Sequence, residues 1–375
     1  MDTKNSFSIL SSAIVEKLTA QNIVTPTKVQ DILIPEIASG KNIIFESETG
    51  TGKTFAYALP LVNKLESDED KIKARILVVA PTFELASQIN AAFKSITDRK
   101  TALFIGGAPI KRQIETLKEK PQIIIGTAAR LIELIHLKKL KTSDMFACIF
   151  DECDRLIKKE SFDDTETLRG LMPSNCQMIA CSATINKQVK IFFAGTDCEI
   201  LPKEDVLKRN ITHWAIFAER RDKIDTLRKF LSAEKPEKAL IFTSRADQVE
   251  NIYSKLRFKQ IECMALHAKA DKRDRKAAID KFRSGKIKIL VTSDLCARGL
   301  DIQKVTHVIQ MDLPSDEDFF IHRSGRTARA GKTGINVVIG DEFEMRQFAA
   351  LEKKLGIIVY PKEIHNGQVI SPLTE

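Results

Sequence analysis

Two series of short apolar runs, one in each half of the chain, constrain the fold more than any other feature. In the first half they are NIIFE (42–46), RILVVA (75–80), QIIIG (122–126), CIFDE (148–152) and QMIACS (177–182). In the second they are KALIFTS (238–244), CMALH (263–267), KILVTSD (288–294), HVIQMD (307–312) and INVVIGD (335–341). Runs this short, rich in Ile and Val and apolar on both faces, are strands of a parallel sheet covered by helices. The stretches between them have helical period. DKRDRKAAIDKFRSGK (271–286) puts Ala277, Ala278, Ile279 and Phe282 in helical register and stops at Gly285, a C-cap residue. Strand–helix alternation over two halves predicts two α/β domains, each a mainly parallel sheet flanked by helices. KEDVLKRNITH (203–213) is polar, aperiodic and preceded by Pro202. It predicts the boundary, with 204–213 as a short linker between domains 1–203 and 214–375.

Composition narrows the class. A chain of 375 residues fits two or three domains, and 43% apolar with 29% charged residues is that of a soluble globular protein. No apolar run approaches the roughly 20 residues of a membrane span. The opening MDTKNSFSIL lacks the basic-then-apolar order of a secretory signal. The seven cysteines form no C-x-x-C pair and stand in apolar stretches, so they read as buried small hydrophobes in a reducing, cytoplasmic compartment. A net charge of +9 favours a polyanionic partner such as nucleic acid without establishing one.

FESETGTGKTFAYALPL (45–61) follows a strand and opens a helix. Within it Thr49-Gly50-Thr51-Gly52-Lys53-Thr54 has the chemistry of a phosphate-binding loop. Its glycines let backbone N–H groups turn toward phosphate oxygens, and the helix N-terminus adds a favourable field. Lys53 is expected on the β- and γ-phosphates, and the Thr54 hydroxyl on Mg²⁺. Ser47 replaces the first glycine of the strict pattern.

About a hundred residues downstream, ACIFDECD places Asp151 and Glu152 at the carboxyl end of a buried strand, where ligands of open α/β sheets gather. An isolated Asp-Glu pair is usually a solvated strand end. With the phosphate loop upstream, Asp151 fits a group orienting Mg²⁺ and its waters, and Glu152 a base for the attacking water. Cys153 stands between carboxylates, yet no four Cys/His ligands at zinc spacing accompany it, and Mg²⁺ takes oxygen ligands. Cys153 is read as a spacer where alanine would serve.

Taken together, these motifs resemble the DEAD-box family of ATP-dependent RNA helicases in superfamily 2, with the signature spelled Asp-Glu-Cys-Asp. The resemblance runs from about Phe7 to about Gly340. It implies two RecA-like domains that close over ATP and single-stranded RNA. TPTKVQ (25–30) resembles the Q motif, in which Gln30 would read the adenine edge and Phe7 would pack near the base. For Phe7, a core anchor at a helix start is the alternative. PTFELA (81–86) is similar to P-T-R-E-L-A with Phe83 for arginine, and GTAAR (126–130) departs from T-P-G-R by two alanines. With the Gly106–Gly107 pair they imply RNA phosphates near Pro81, Thr82, Gly107, Thr127 and Arg130. SAT (182–184) resembles the coupling motif, so that Ser182, Thr184 and Asp154 would link hydrolysis to strand separation.

In the second half, LHAKADKRDR (266–275) carries Arg275 in its family place, with Ala268 for glycine and Lys272 for glutamine. VTSDLCARGLDI (291–302) implies Thr292 and Gly299 at RNA and Asp301 at the ATP ribose. HRSGRTARAG (322–331) implies arginine fingers at Arg326 and Arg329, with His322 linking them to the first domain's carboxylates. Finger residues in a different domain from the phosphate loop make hydrolysis depend on closure.

The expected function is RNA-stimulated ATP hydrolysis coupled to local unwinding or to remodelling of RNA–protein complexes. RNA would bind as a single strand or short duplex, without sequence preference, to a monomer working in the cytoplasm in ribosome assembly or RNA turnover. An ATP-gated RNA clamp is the rival from another class. The departures at Phe83, Ala128, Ala129 and Ala268 favour it, and Lys53, Glu152, Arg326 and Arg329 oppose it. A P-loop kinase or metabolic ATPase leaves the second half unexplained.

Overall fold

The computed structural model describes residues 5–46, 52–67, 75–182, 185–194, 196, 198–201, 208, 210–266, 271–297, 302, 304–328 and 332–372. The chain divides into two compact units, the first ending at Glu204 and the second running from Asp205.

The first unit is built on a sheet of β1 (Asn42–Glu46), β2 (Arg75–Val79), β3 (Thr101–Phe104), β4 (Ile123–Gly126), β5 (Met145–Asp151), β6 (Gln177–Ser182) and β7 (Cys198–Leu201). Its order is β3-β4-β2-β5-β6-β1-β7, and every neighbouring pair is parallel. The helices that position the site are α1 (Ser12–Ala20), α2 (Lys28–Ala38), α3 (Lys53–Glu66), α4 (Phe83–Ile96), α5 (Ile110–Lys118), α6 (Ala128–His136) and the single turn α7 (Cys153–Leu156). Alternate strand residues feed opposite cores. Ile43, Phe45, Ile76, Val78, Ile123, Ile125, Ile149 and Ile179 pack on one face. Ile44, Leu77, Val79, Ile124, Cys148, Phe150, Met178 and Ala180 pack on the other. A strand buried on both faces has no polar side to show, which is why these runs read as apolar throughout.

The second unit repeats the plan with β8 (Ile211–Phe217), β9 (Ala239–Thr243), β10 (Met264–Leu266), β11 (Ile289–Ser293), β12 (His307–Gln310), β13 (Gly334–Gly340), β14 (Val359–His365) and β15 (Gln368–Ile370). The order is β10-β11-β9-β12-β13-β8-β14-β15, parallel except for the β14–β15 hairpin at the edge. The expected helix of 271–286 is Lys272–Arg283, capped by the Asp271 carboxylate on the Arg273 and Asp274 N–H groups and closed by Gly285 at φ +78°.

All ten expected strands are present, with ends shifted by up to three residues. β3, β7, β8, β14 and β15 were not anticipated. Strand β8 corrects the linker, since residues 211–213 already belong to the second sheet. It hid because its buried positions include a histidine: His213 is 1% exposed, accepts from or donates to Asn336 at 3.1 Å and stacks on Phe320. All seven thiols are free, and six are buried, Cys198 being half-buried. Among the described residues no helix is long and apolar enough to cross a membrane.

Candidate active site

The carboxyl ends of the first sheet sort the candidate residues by strand order. Ser182 and the start of the phosphate loop leave β6 and β1, and Asp151 and Glu152 leave β5. Pro81 and Thr82 follow β2, Thr127 follows β4, and Gly107 lies beyond β3. The nucleotide set therefore occupies one side of the sheet end, and the set expected at RNA occupies the other.

Gly52 opens α3 at φ +90°, a left-handed conformation that glycine adopts without steric cost. A Cβ there would stand 2.6 Å from Gln30 Nε2, so the position has neither the backbone nor the room for another residue. Gln30 itself is third in α2 and closes a capping box. Its Oε1 accepts from the Thr27 N–H at 2.9 Å, and Thr27 Oγ1 accepts from the Gln30 N–H at 3.4 Å. Its Nε2 donates to the Gly52 carbonyl at 3.1 Å. The amide expected on adenine thus ties the Q motif to the phosphate loop. Each end of the amide is engaged and retains capacity for one further bond. Phe7 is 6% exposed and packs in the core with Ile14, Leu18 and Leu33. Its ring is a core anchor here, the alternative weighed for it above.

Lys53 is the first residue of α3 and is 7% exposed. Its Nζ lies 3.7 Å from Asp151 Oδ1 and makes no hydrogen bond among the described residues. Burial opposes its charge, but the nearby carboxylates, Asp151 first and then Glu152 and Asp154, outweigh that, and its pKa stands above the ordinary lysine value. A buried, charged and unsatisfied ammonium beside a helix N-terminus fits a phosphate group. Thr54, half-buried, is the next residue of α3. Thr49, Gly50, Thr51, Thr184, Gly299, Asp301, Arg329 and Ala268 lie outside the described residues.

Asp151 is fully buried at the end of β5. It accepts from the Tyr57 hydroxyl at 2.8 Å, the Cys181 thiol at 2.8 Å and the Glu152 N–H at 2.9 Å. Burial, and then the Asp151 charge, push both the Tyr57 and Cys181 pKa values well up, so both groups stay protonated donors. Glu152 takes a left-handed conformation, φ 52° and ψ 52°, that turns the chain from strand into α7; its carboxylate pairs with Arg155. A non-glycine residue held there is strained, and such residues concentrate at functional sites. Ser182 Oγ donates to Asp154 Oδ1 at 2.7 Å and accepts from the Asp154 N–H at 3.2 Å. The structure thus brings together the two described members of the expected coupling set. The Asp151 carboxylate and the Thr54 hydroxyl are oxygen donors, the kind that Mg²⁺ takes.

Cys153 is fully buried in the second core cluster, between the two faces of its turn. Burial and the neighbouring Asp154 charge push its thiol pKa far up, which removes thiolate chemistry. Cys153→Ala is expected to retain ATP hydrolysis within about threefold, with a loss of stability of about 1 kcal/mol from the small cavity. Steady-state hydrolysis and thermal melting check this, and a tenfold loss of hydrolysis would make the sulfur functional.

On the other side of the sheet end, Thr82 caps α4 by accepting from the Leu85 N–H at 3.3 Å. Phe83, which stands for the family's arginine, follows it and is 49% exposed. Gly107 is exposed at φ +77°, with open space around it. Gly126 has no room for a Cβ against the Phe104 carbonyl, which also accepts from the Thr127 N–H at 3.1 Å. Arg130 donates to the Ala108 carbonyl at 2.9 Å and pairs with Glu133 at 2.9 Å, bracing the Gly106–Gly107 loop.

In the second unit, Arg275 reaches the Cys296 carbonyl at 2.9 Å. Thr292 is fully buried in β11, its hydroxyl donating to the Ser293 carbonyl at 3.3 Å. Strand β11 lies between β10 and β9, and its residues are buried on both faces. Arg326 is 8% exposed, and its Nε donates to the carbonyl of half-buried His322 at 3.3 Å. Beside them lies a centre that the motif reading passed over. Arg323, 1% exposed, binds Asp294 through Nε and Nη2, each at 2.6 Å, and Asp312 Oδ1 at 3.2 Å and Ser244 Oγ at 2.7 Å. Tyr57, Cys181 and Arg155 were passed over likewise. The one signal for Arg323 was its place inside HRSGR.

Two α/β units, one with a buried lysine opening a helix beside a buried carboxylate pair, together with the phosphate-loop sequence of residues 49–54, are those of a P-loop ATPase of the helicase type. Family comparison agrees: the DEAD/DEAH box helicase profile matches residues 27–192, and the helicase conserved C-terminal domain matches 222–331. The chain is 37% identical to the DEAD-box ATP-dependent RNA helicase CshC of Bacillus cereus, over 92% of this chain and 89% of that protein. It is 35% identical to the probable ATP-dependent RNA helicase YfmL of Bacillus subtilis, over 92% and 93%. Mss116p bound to single-stranded RNA and AMP-PNP superposes with a TM-score of 0.81 at 26% identity, covering 95% of this chain and 78% of that one. S. cerevisiae Dbp5, bound to RNA and ADP–BeF3, shares the fold at 24% identity and a TM-score of 0.81, over 95% and 96%. The chain belongs to the DEAD-box family of helicases.

Proposed function

We propose that this protein is an ATP-dependent RNA helicase whose ATP hydrolysis is stimulated by RNA and coupled to local duplex separation or RNA–protein remodelling. The observation that carries the reading is the buried Lys53 ammonium, unsatisfied among the described residues and 3.7 Å from a carboxylate held at the end of β5. Lys53 and the loop before it bind the β- and γ-phosphates, Gln30 serves the adenine, and Thr54 and Asp151 would hold Mg²⁺, which would supply charge neutralisation at the phosphates. Glu152 orients and deprotonates the attacking water. Arg326 and Arg329 serve as arginine fingers, with His322 supporting them. Asp154 and Ser182 couple the carboxylate turn to β6. Thr82, Gly107 and Thr127 meet RNA phosphates through backbone and hydroxyl groups, which carry no base information and so support sequence-nonspecific binding. Arg130 braces the Gly106–Gly107 loop, and Arg275 braces the backbone at Cys296 in the second unit. The RNA-helicase names of relatives over nine-tenths of this chain support RNA as the substrate. Its proposed place is the cytoplasm, in ribosome biogenesis or RNA turnover.

The test is steady-state ATP hydrolysis by the full chain with and without single-stranded RNA, followed by separation of a short RNA duplex. RNA-stimulated hydrolysis with duplex separation is expected. ATP-dependent RNA binding without hydrolysis would replace this reading by the clamp, and hydrolysis indifferent to RNA would remove the coupling.

A further inference from the structure

Asp151 is gripped by two side chains that the hydrolytic chemistry does not itself require. Tyr57 stands one turn along α3 from Lys53, an i, i+4 spacing that puts its hydroxyl on the same helix face as the lysine. That hydroxyl donates to Asp151 Oδ2 at 2.8 Å. Cys181 lies opposite Asp151 in the β5–β6 register, and its thiol donates to Oδ1 at 2.8 Å. Helix period and strand register thus deliver one donor to each carboxylate oxygen. All three side chains are fully buried, so water cannot replace either donor. With the Glu152 N–H at 2.9 Å, three of the roughly four acceptor positions of the carboxylate are taken, and its rotation is blocked.

We propose that Tyr57 and Cys181 are positioning residues that fix the Asp151 carboxylate for the water shell of nucleotide-bound Mg²⁺; this rests on the reading of Asp151 as the metal carboxylate. Donors behind a ligating group set its orientation, and their loss typically costs about 10–100-fold in metal affinity. Neither residue touches nucleotide or metal in this scheme, so neither is catalytic. Their effect passes through Asp151, and for Tyr57 also through the Thr54 side chain hydrogen-bonded to it, and is read in the Mg²⁺ requirement rather than in phosphate binding, which Lys53 and the loop carry.

The experiment measures equilibrium binding of a fluorescent ADP analogue to the full chain as free Mg²⁺ is varied, and again in excess EDTA, with thermal melting of the nucleotide-free protein alongside. Tyr57→Phe is expected to raise the half-saturating Mg²⁺ concentration by about tenfold while leaving the EDTA affinity within about twofold. Cys181→Ala is expected to shift in the same sense, and Cys181→Ser, which keeps a donor, to recover most of the wild-type value. An unchanged Mg²⁺ midpoint in Tyr57→Phe overturns the proposal, as does equal weakening with and without Mg²⁺, which would mark a packing role. Asp151→Asn separates the two levels. If it too leaves the Mg²⁺ midpoint unchanged, the reading of Asp151 has failed. If it shifts the midpoint and Tyr57→Phe does not, only the positioning role has.

Discussion

Glu152→Gln is expected to lower RNA-stimulated ATP hydrolysis by about 10²–10⁴-fold, the usual contribution of a positioned general base. The substitution keeps shape and hydrogen-bonding length and removes only the charge. Glu152 is 3% exposed, so no bulk solvent base replaces it. Its left-handed backbone at φ 52° fixes where the side chain leaves the end of β5. Gln occupies that conformation no less readily than Glu, so the turn into α7 survives. The pairing with Arg155 loses its charge, which makes Arg155→Ala the necessary companion variant. If Arg155 only orients the carboxylate, its loss costs far less than the loss of the carboxylate. ATP affinity is expected to persist, because Lys53 and α3 are untouched. Single-turnover hydrolysis with saturating RNA, beside nucleotide binding, reads both quantities. A loss smaller than about tenfold would move the base role elsewhere.

How far the sequence reached depends on what each residue faces. The parallel sheets were legible because strands such as β2 and β9 are apolar on both faces and need no context to be read. Strand β8 was not, because its register buries His213 against Asn336 and exposes Phe217, which breaks any simple pattern. The edge hairpin β14–β15 has only half-buried and exposed positions and contains Pro361, so it resembles loop. Within the site, the motif residues Lys53, Asp151, Glu152 and Ser182 were found because their chemistry is tied to spacing along the chain. Tyr57 and Cys181 were missed for the opposite reason. Each is an ordinary core residue by composition, and only the α3 face and the β5–β6 register bring them onto Asp151. Phe7 and Thr292, which resemblance places at ligands, both have buried side chains, and no pattern in the chain announces that. Arg323 shows the limit best: a charged residue inside a basic motif reads as solvent-facing, and its burial is visible only when its partners come from three other strand ends.

Those partners make Arg323→Ala the variant with the largest expected cost in stability, about 3–5 kcal/mol in the second unit. Arg323 fills a planar slot at the carboxyl ends of β9, β11 and β12, bound to Ser244, Asp294 and Asp312. It also donates to the Asp312 carbonyl at 2.9 Å and to Gln310 Oε1 at 3.3 Å, and Gln310 in turn donates to Asn336 at 2.9 Å. Alanine leaves two carboxylates facing each other without a cation. Arg323→Lys keeps a charge but not the fork that reaches both, so it is expected to recover less than half of the loss. The pH dependence carries a sign. Burial alone would raise the Asp312 pKa, but Arg323, Ser244 and Thr243 outweigh it and hold it below the ordinary aspartate value. A depressed folded-state pKa contributes stability that is present above the unfolded value and is lost as pH falls through the folded one. In Arg323→Ala the depressing charge is gone and burial remains, so the carboxyl is destabilising when ionised and is relieved by protonation. The gap between wild type and variant should therefore be widest near neutral pH and close below about pH 4. The single tryptophan, Trp214, lies in β8 and packs edge-on against Phe230, so its fluorescence follows the second unit in urea. A Trp214 transition displaced by less than about 1 kcal/mol would show that this buried cation is dispensable to the unit, and a gap that widens toward acid would overturn the electrostatic account of its role.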